Sequence, residues 1–236
     1  MANTYFQFKQ FTVHQEHCAM KVSTEACILG AWVSKHSAKH ILDIGAGTGL
    51  VSLMLAQRLG GQIDAVEIDT DAARQTAENF AASPWDDRLS LFQEDVFTYA
   101  AVATVSYDLI VSNPPFFTSS LKSPERRNNL AKHDTGQFSK VKFVQCLASL
   151  LSEDGEGYVL YPEKEAKEFQ KELRAVGLYS YPALIIRNQP NKEVFRVIVC
   201  ISRQEIIVSP RELYIRSGQE HTTEFIDLLK DYYLKY

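Results

Sequence analysis

The stretch Ile41-Leu42-Asp43-Ile44-Gly45-Ala46-Gly47-Thr48-Gly49 constrains this chain more than any other. A short apolar run enters a turn with glycine at alternate positions. Leu50-Val51-Ser52-Leu53-Met54-Leu55-Ala56 then continues as a helix. Strand, glycine turn and helix in that order make the first βα unit of a doubly wound sheet. The 236 residues, 45% of them hydrophobic, supply one large core for such a sheet.

The same alternation continues downstream. Gln62 to Val66 reads as a second strand ending in Glu67, followed by a helix capped by Asp69, Thr70 or Asp71. Leu89 to Phe92 is a third strand ending at Gln93-Glu94-Asp95, and Tyr107 to Val111 is a fourth. Phe138 to Leu151 reads as a helix, Gly157 to Tyr161 as a fifth strand, and Glu163 to Val176 as another helix. Leu178 to Arg187 and Val194 to Ser202 are strands whose connection is short enough for a hairpin.

In front of the first βα unit, residues 4–15 alternate Phe6, Phe8, Phe11 and Val13 with polar groups, as an extended arm with one buried face. Thr24 is placed to cap a helix that runs through Val33. An amphipathic helix over 222–233 closes the chain and ends in Tyr232-Tyr233-Leu234. This element order resembles the class I methyltransferase layout. It predicts an α/β, Rossmann-like fold with a seven-stranded mixed sheet, a C-terminal antiparallel hairpin and a short N-terminal extension. A single domain is expected, with residues 1–36 as arm and helix, 37–202 as the cofactor-binding core and 203–236 as a C-terminal extension.

The glycine turn is not the dinucleotide pattern G-x-G-x-x-G, because its third glycine comes two residues after the second. Glycines let the backbone approach a ligand, and the following helix start offers free N–H groups. A pyrophosphate suits such a place, and so does the methionine carboxylate of S-adenosylmethionine. Glu67, about 20 residues on, can accept hydrogen bonds from both ribose hydroxyls. Asp95 can accept from an adenine amino group, or simply cap the helix at Val96-Phe97. With Asp43, these are three acids at the carboxyl ends of three successive strands, where open α/β sheets bind ligands.

The fourth strand ends in Ser112-Asn113-Pro114-Pro115-Phe116. Proline fixes its own φ, removes a donor and forces the preceding residue into an extended conformation. The two prolines therefore make a stiff loop. In it the Asn113 side chain and the Pro114 carbonyl aim two acceptors at one –NH2 group, and Phe116 offers a ring to stack on the planar system that carries it. Neither a Tyr-x-x-x-Lys pair nor a metal cluster stands at a place suited to redox chemistry. Holding both N–H bonds of a delocalised amino group favours a pyramidal nitrogen whose lone pair faces a sulfonium methyl. The step is then in-line transfer governed by positioning and local electrostatics.

The combination of residues 43–49 with Asn113-Pro114-Pro115-Phe116 resembles the amino-group methyltransferases of class I. Phe6 to Phe11, Cys18 to Thr24, Gly30-Ala31-Trp32, Arg127, Leu130 to His133 and Tyr232-Tyr233-Leu234 narrow the likeness. Over nearly the whole chain it is similar to the bacterial tRNA(Val) adenine-N6 methyltransferase family. The resemblance implies S-adenosylmethionine as cofactor and N6 methylation of the adenosine just 3′ of the anticodon in a valine tRNA. It implies a catalytic loop of Asn113, Pro114, Pro115 and Phe116. The implied cofactor site is Thr24, Asp43, Gly45, Ala46, Gly47, Gly49, Glu67, Asp95 and Asn113, with Thr24 at the cofactor's methionine end. One departure is Ser23-Thr24-Glu25 where Gly-Thr-Asp is expected.

The net charge of −4 gives no global basic field, so any RNA contact is local. The polar stretch 118–137 carries Lys122, Arg126, Arg127, Lys132 and His133, which are the expected phosphate contacts; a solvated loop is the plainer reading. Four scattered cysteines form no metal-ligand spacing and read as reduced, buried thiols. No apolar run reaches a membrane span, and the N-terminal segment lacks a signal-peptide core. A cytoplasmic monomer acting on tRNA, without metal or membrane, is expected. Three readings compete: guanine-N2 methylation of ribosomal RNA, glutamine-N5 methylation of a protein, and a non-catalytic cofactor sensor or RNA-binding protein.

Overall fold

The structure, a computed structural model, describes residues 3–33, 35–114, 139–206 and 208–236. Its elements in chain order are β1 (Tyr5–Gln7), β2 (Thr12–His14), α1 (Thr24–Trp32), β3 (His40–Ile44), α2 (Leu50–Arg58), β4 (Gln62–Glu67) and α3 (Thr70–Ala81). Then come β5 (Leu89–Gln93), α4 (Val96–Val102), β6 (Tyr107–Ser112), α5 (Lys140–Leu150), β7 (Leu151–Tyr161) and α6 (Glu163–Ala175). The C-terminal part holds β8 (Tyr179–Arg187), β9 (Val194–Ser202), β10 (Arg211–Tyr214), β11 (Arg216–Ser217), β12 (Glu220–His221) and α7 (Thr223–Leu229).

The main sheet has the order β10-β8-β9-β7-β6-β3-β4-β5. From β7 to β5 all neighbours are parallel. Strand β9 is antiparallel to both β7 and β8. Strands β3 and β6 are buried on both faces, which is why they read as continuous apolar runs rather than alternating ones. One core layer, with Ile28, Leu53, Val111 and Ile198, lies under α1, α2 and α7; the other, with Ile110, Phe143, Val159 and Phe169, lies under α4, α5 and α6.

The sheet differs from the sequence expectation in having eight strands. Arg211–Tyr214 pairs in parallel with β8 and covers an edge that would otherwise end the sheet. Only Leu213 of its four residues is buried, so no apolar pattern announced it. The arm over 4–15 is a hairpin, not one extended piece: β1 and β2 pair, and the Phe8 amide reaches the Phe11 carbonyl at 2.8 Å across the turn. Ser23, not Thr24, is the N-cap of α1, accepting from the Ala26 amide. The last helix stops at Leu229. The chain then turns so that Tyr232 is buried with its hydroxyl on the Met54 carbonyl at 3.0 Å, and Tyr233 bridges to Phe8. Both chain ends thus lie together, tied further by the Lys9 amide on the Tyr232 carbonyl.

Candidate active site

The site is built where β3, β4, β5 and β6 end. Gly45, Gly47 and Gly49 have φ of 75°, 60° and 77°, a left-handed region that side chains rarely tolerate. At Gly49 a Cβ would also stand 2.7 Å from Phe80 Cε1, so glycine lets α2 begin against α3. At Gly47 a Cβ would meet nothing within 4 Å, so that side of the turn is open for a ligand. The inner side is held from below and from α3. The Gly45 amide donates to the Val66 carbonyl at 2.8 Å, and the Thr76 hydroxyl donates to the Gly47 carbonyl at 2.7 Å.

Three acids frame the turn. Asp43 is 2% exposed and accepts the Ser52 amide at 3.1 Å and the Ser52 hydroxyl at 2.7 Å, which anchors the first turn of α2. Burial pushes its carboxyl up to about 6, against the Ser52 hydrogen bonds that pull it down. Glu67 accepts the Gly47 amide on one oxygen at 2.8 Å and the Asp69 amide on the other at 2.9 Å. Its carboxyl is also raised, by burial first. Asp95 caps α4, one oxygen accepting the Phe97 amide at 2.8 Å and the Thr98 amide at 3.3 Å. The capping geometry weighed from the sequence is therefore present, and one carboxylate oxygen carries both cap bonds.

At the end of β6, the Ser112 hydroxyl donates to the Ile44 carbonyl at 2.8 Å and locks this strand end to the start of the glycine turn. Asn113 follows, half-buried, and Pro114 is buried. Asn113 Oδ1 is inaccessible and accepts no hydrogen bond among the described residues. Burying an acceptor without a donor is costly, and such atoms mark places where a donor is meant to arrive. Pro115, Phe116, Lys122, Arg126, Arg127, Lys132 and His133 lie outside the described residues.

Helix α1 runs alongside α2 in the same direction: Arg58 reaches the carbonyls of Gly30, at 3.0 Å, and Val33, and Gly30 sits against Met54. Both helix starts therefore face the same sheet edge, and Thr24, half-buried, is the first residue of α1.

Several residues of this region escaped the sequence reading. Asn79 of α3 clamps the arm to the turn: it accepts the His14 amide at 2.9 Å and donates to the carbonyls of His14 and Thr48, each at 2.8 Å. Gln75 adds the His17 amide at 3.3 Å. Ile68 is 56% exposed directly after Glu67, an apolar face at the edge of the site. Glu25 pairs with Arg196 of β9 at 3.5 Å and ties the first turn of α1 to the beginning of β9. An apolar residue interrupting the acidic run 67–71 was a readable signal for Ile68. The others depend on contacts far apart in sequence.

Among the described residues no His, Cys, Asp and Glu group can hold a metal, and no helix is long and apolar enough to cross a membrane. The four cysteines are buried free thiols.

Comparison with known proteins agrees with this geometry. The family model described as methyltransferase small domain matches residues 13–135. A tRNA1(Val) (adenine(37)-N6)-methyltransferase of Trichodesmium erythraeum is 41% identical over 240 residues, covering 100% of both chains. One of Dyadobacter fermentans is 42% identical and covers 99% of both. The crystal structure of a predicted O-methyltransferase from Agrobacterium tumefaciens superposes with a TM-score of 0.66 at 16% identity, covering 87% of this chain and 95% of that one; the likeness there is one of fold. With a domain model spanning half of its residues and relatives that align from end to end, this chain belongs to the tRNA1(Val) (adenine(37)-N6)-methyltransferase family.

Proposed function

We propose that this protein methylates N6 of an adenosine in tRNA with S-adenosylmethionine as donor, the target being the nucleotide just 3′ of the anticodon in a valine tRNA. The observation that carries the chemistry is Asn113 Oδ1, a buried acceptor at the end of the central strand with no donor among the described residues. An amino group of a base supplies that donor.

The site fits the cofactor. Gly45 and Gly47 face open space, the start of α2 offers backbone N–H groups, and Glu67 is a buried carboxylate beside them. The turn 45–49 and Thr24 would hold the methionine end. Glu67 keeps acceptor capacity for ribose hydroxyls, since each carboxylate oxygen accepts more than one bond. Asp95 would take the adenine amino group, and Ile68 the face of its ring. The cofactor supplies an electrophilic methyl on a sulfonium sulfur.

The chain's own residues then position the nucleophile. Asn113 Oδ1 and the Pro114 carbonyl accept the two N–H bonds of the adenine amino group. This pyramidalises the nitrogen and aims its lone pair at the methyl. The new N–C bond would form as the S–C bond breaks, and the methylated, cationic nitrogen would pass its extra proton to water, so no general base is required. Reaching the base requires it to be extruded from the anticodon loop, with Phe116 as its stacking ring. Lys122, Arg126, Arg127, Lys132 and His133 would contact phosphates. The protein works as a monomer in the cytoplasm.

The test is incubation with methyl-labelled S-adenosylmethionine and total RNA from a strain lacking the gene, followed by digestion to nucleosides. Label in N6-methyladenosine at one position of valine tRNA is expected. Label in N2-methylguanosine, or in added protein and not in RNA, overturns the reading.

A further inference from the structure

The phosphate contacts expected from the sequence all fall in one loop beside the catalytic residues. A second surface on the same sheet edge has the chemistry to bind RNA. Strand β8 is antiparallel to β9, and β9 is antiparallel to β7, so β8 ends on the same edge as β6. The β8–β9 turn therefore projects on the side where Asn113 sits. Strands lie about 5 Å apart, and by register Asn113 is level with about Leu184, so the turn stands roughly 10–15 Å to the side of Asn113 and about 10 Å further along the strands, about 15–20 Å away in all. That is about the rise of five or six stacked nucleotides.

At this turn the surface holds a groove of about 770 Å³. Asn188, Gln189, Asn191, Lys192, Phe195 and Arg216 line it. Lys192 and Arg216 are exposed, and Glu193 is the carboxylate that shares the lining. Phe195 is half-buried at the groove wall, and the Arg196 guanidinium, paired with Glu25 behind the lining, lies 4.3 Å from its ring centroid and holds the ring in place. The groove is also built rather than loose. Arg187 donates to the Lys192 carbonyl at 2.8 Å, Gln189 to the Gly218 carbonyl at 3.1 Å and Arg216 to the Gln219 carbonyl at 2.7 Å. The first and last each brace a turn from within, while the Gln189 bond and the Arg216 amide on the Asn188 carbonyl at 3.0 Å join the β8–β9 turn to the β11–β12 hairpin.

Side-chain amides that read base edges, two cations for phosphates and an aromatic ring form the combination that single-stranded RNA uses. We propose that this groove binds the nucleotides flanking the target adenosine in the anticodon loop and so holds the loop while the base is extruded. The proposal rests on the tRNA reading above and names contact residues other than those of the 118–137 stretch. The groove has no part in the transfer step, so its loss weakens substrate binding and leaves the reaction at saturation intact.

The experiment compares wild type with Lys192→Ala/Arg216→Ala and with Lys192→Glu/Arg216→Glu. It measures KM for tRNA across a salt series, kcat at saturating tRNA, and S-adenosylhomocysteine affinity by calorimetry. The alanine pair is expected to raise KM about tenfold and the glutamate pair more than 100-fold. Loss of two phosphate contacts is expected to reduce the slope of log KM against log salt by about 1.4–1.8. Unchanged S-adenosylhomocysteine affinity and kcat would complete the expected result, and they also report that the variants are folded. Wild-type methylation of tRNA with an unchanged KM and salt slope in both variants overturns the groove alone. Wild type that neither binds nor methylates tRNA overturns the groove and the tRNA reading together.

Discussion

Glu67 and Gly47 are joined across the edge of the sheet: the carboxylate at the end of β4 accepts the amide in the middle of the glycine turn at 2.8 Å. The same carboxylate accepts the Asp69 amide that opens α3. One side chain thus fixes the turn that faces a ligand and the helix that backs it. The site is organised before any cofactor arrives, so less ordering is left to binding.

Replacing Glu67 therefore has two separable effects. Glu67→Ala removes two charge-assisted acceptors and is expected to lower stability by about 1–3 kcal/mol. It should also weaken S-adenosylhomocysteine binding at least 30-fold, read by calorimetry. Glu67→Gln retains one oxygen and should fall between. Equal cofactor affinity in all three proteins would remove Glu67 from the binding site and leave it a scaffold residue.

Asp43 gives a pH signature. Its carboxyl titrates near 6 in the fold, against 3.8 when unperturbed, because burial disfavours the charge. Between those values the native state holds more protons than the unfolded one, so this group's contribution to stability falls as pH rises. Above about 6 the penalty is complete, roughly 3 kcal/mol. Asp43→Asn has no charge to bury. The stability difference between Asp43→Asn and wild type should grow from pH 4 to pH 6 and be flat on either side, measured by urea unfolding. Parallel pH profiles would show that burial does not control this group.

The parts of this fold that the sequence made legible are those governed by local rules. Ile41 to Ile44 and Leu109 to Val111 are buried on both faces, so the central strands appear as apolar runs, interrupted only by Asp43 in the first. Acids at the strand ends and the alternating glycines follow from backbone geometry and were equally plain. The rest depended on distant partners. The turn Phe8 to Phe11 contains no glycine or asparagine, so the hairpin it makes was read as a single arm. Strand β10 offers only Leu213 to the core and exists because β8 has a free edge. Asn79 looks like a solvated position on a polar helix face. It is 1% exposed only because a strand 65 residues earlier covers it.

That covering makes Asn79 a test of how the arm is held. Its side chain satisfies both backbone groups of His14 and the carbonyl of Thr48. Asn79→Leu keeps the volume and leaves those three groups without a side-chain partner, at a cost of about 2–4 kcal/mol. Because the lost bonds bind the arm and not the sheet, residues 3–22 should exchange their amides and be cleaved at much lower opening energy than the core strands. Uniform loss of protection across the sheet would mean that the arm and the core unfold as one unit.

Asn113 separates binding from chemistry. Its Oδ1 is buried and accepts nothing among the described residues, so it contributes no stabilising hydrogen bond among them. Asn113→Ala should leave stability unchanged or raise it by about 1 kcal/mol, because an unpaired buried acceptor is removed. If that oxygen holds the amino group during transfer, kcat should fall about 10²–10³-fold, the scale seen when one oriented group is lost from a preorganised site. Affinity for S-adenosylhomocysteine should stay within about threefold, since Glu67 and the glycine turn remain. Asn113→Asp keeps an acceptor in place and should lose less activity than the alanine variant. If cofactor affinity instead falls in step with kcat, the donor that Asn113 awaits belongs to the cofactor, and orientation of the nucleophile must pass to the Pro114 carbonyl alone.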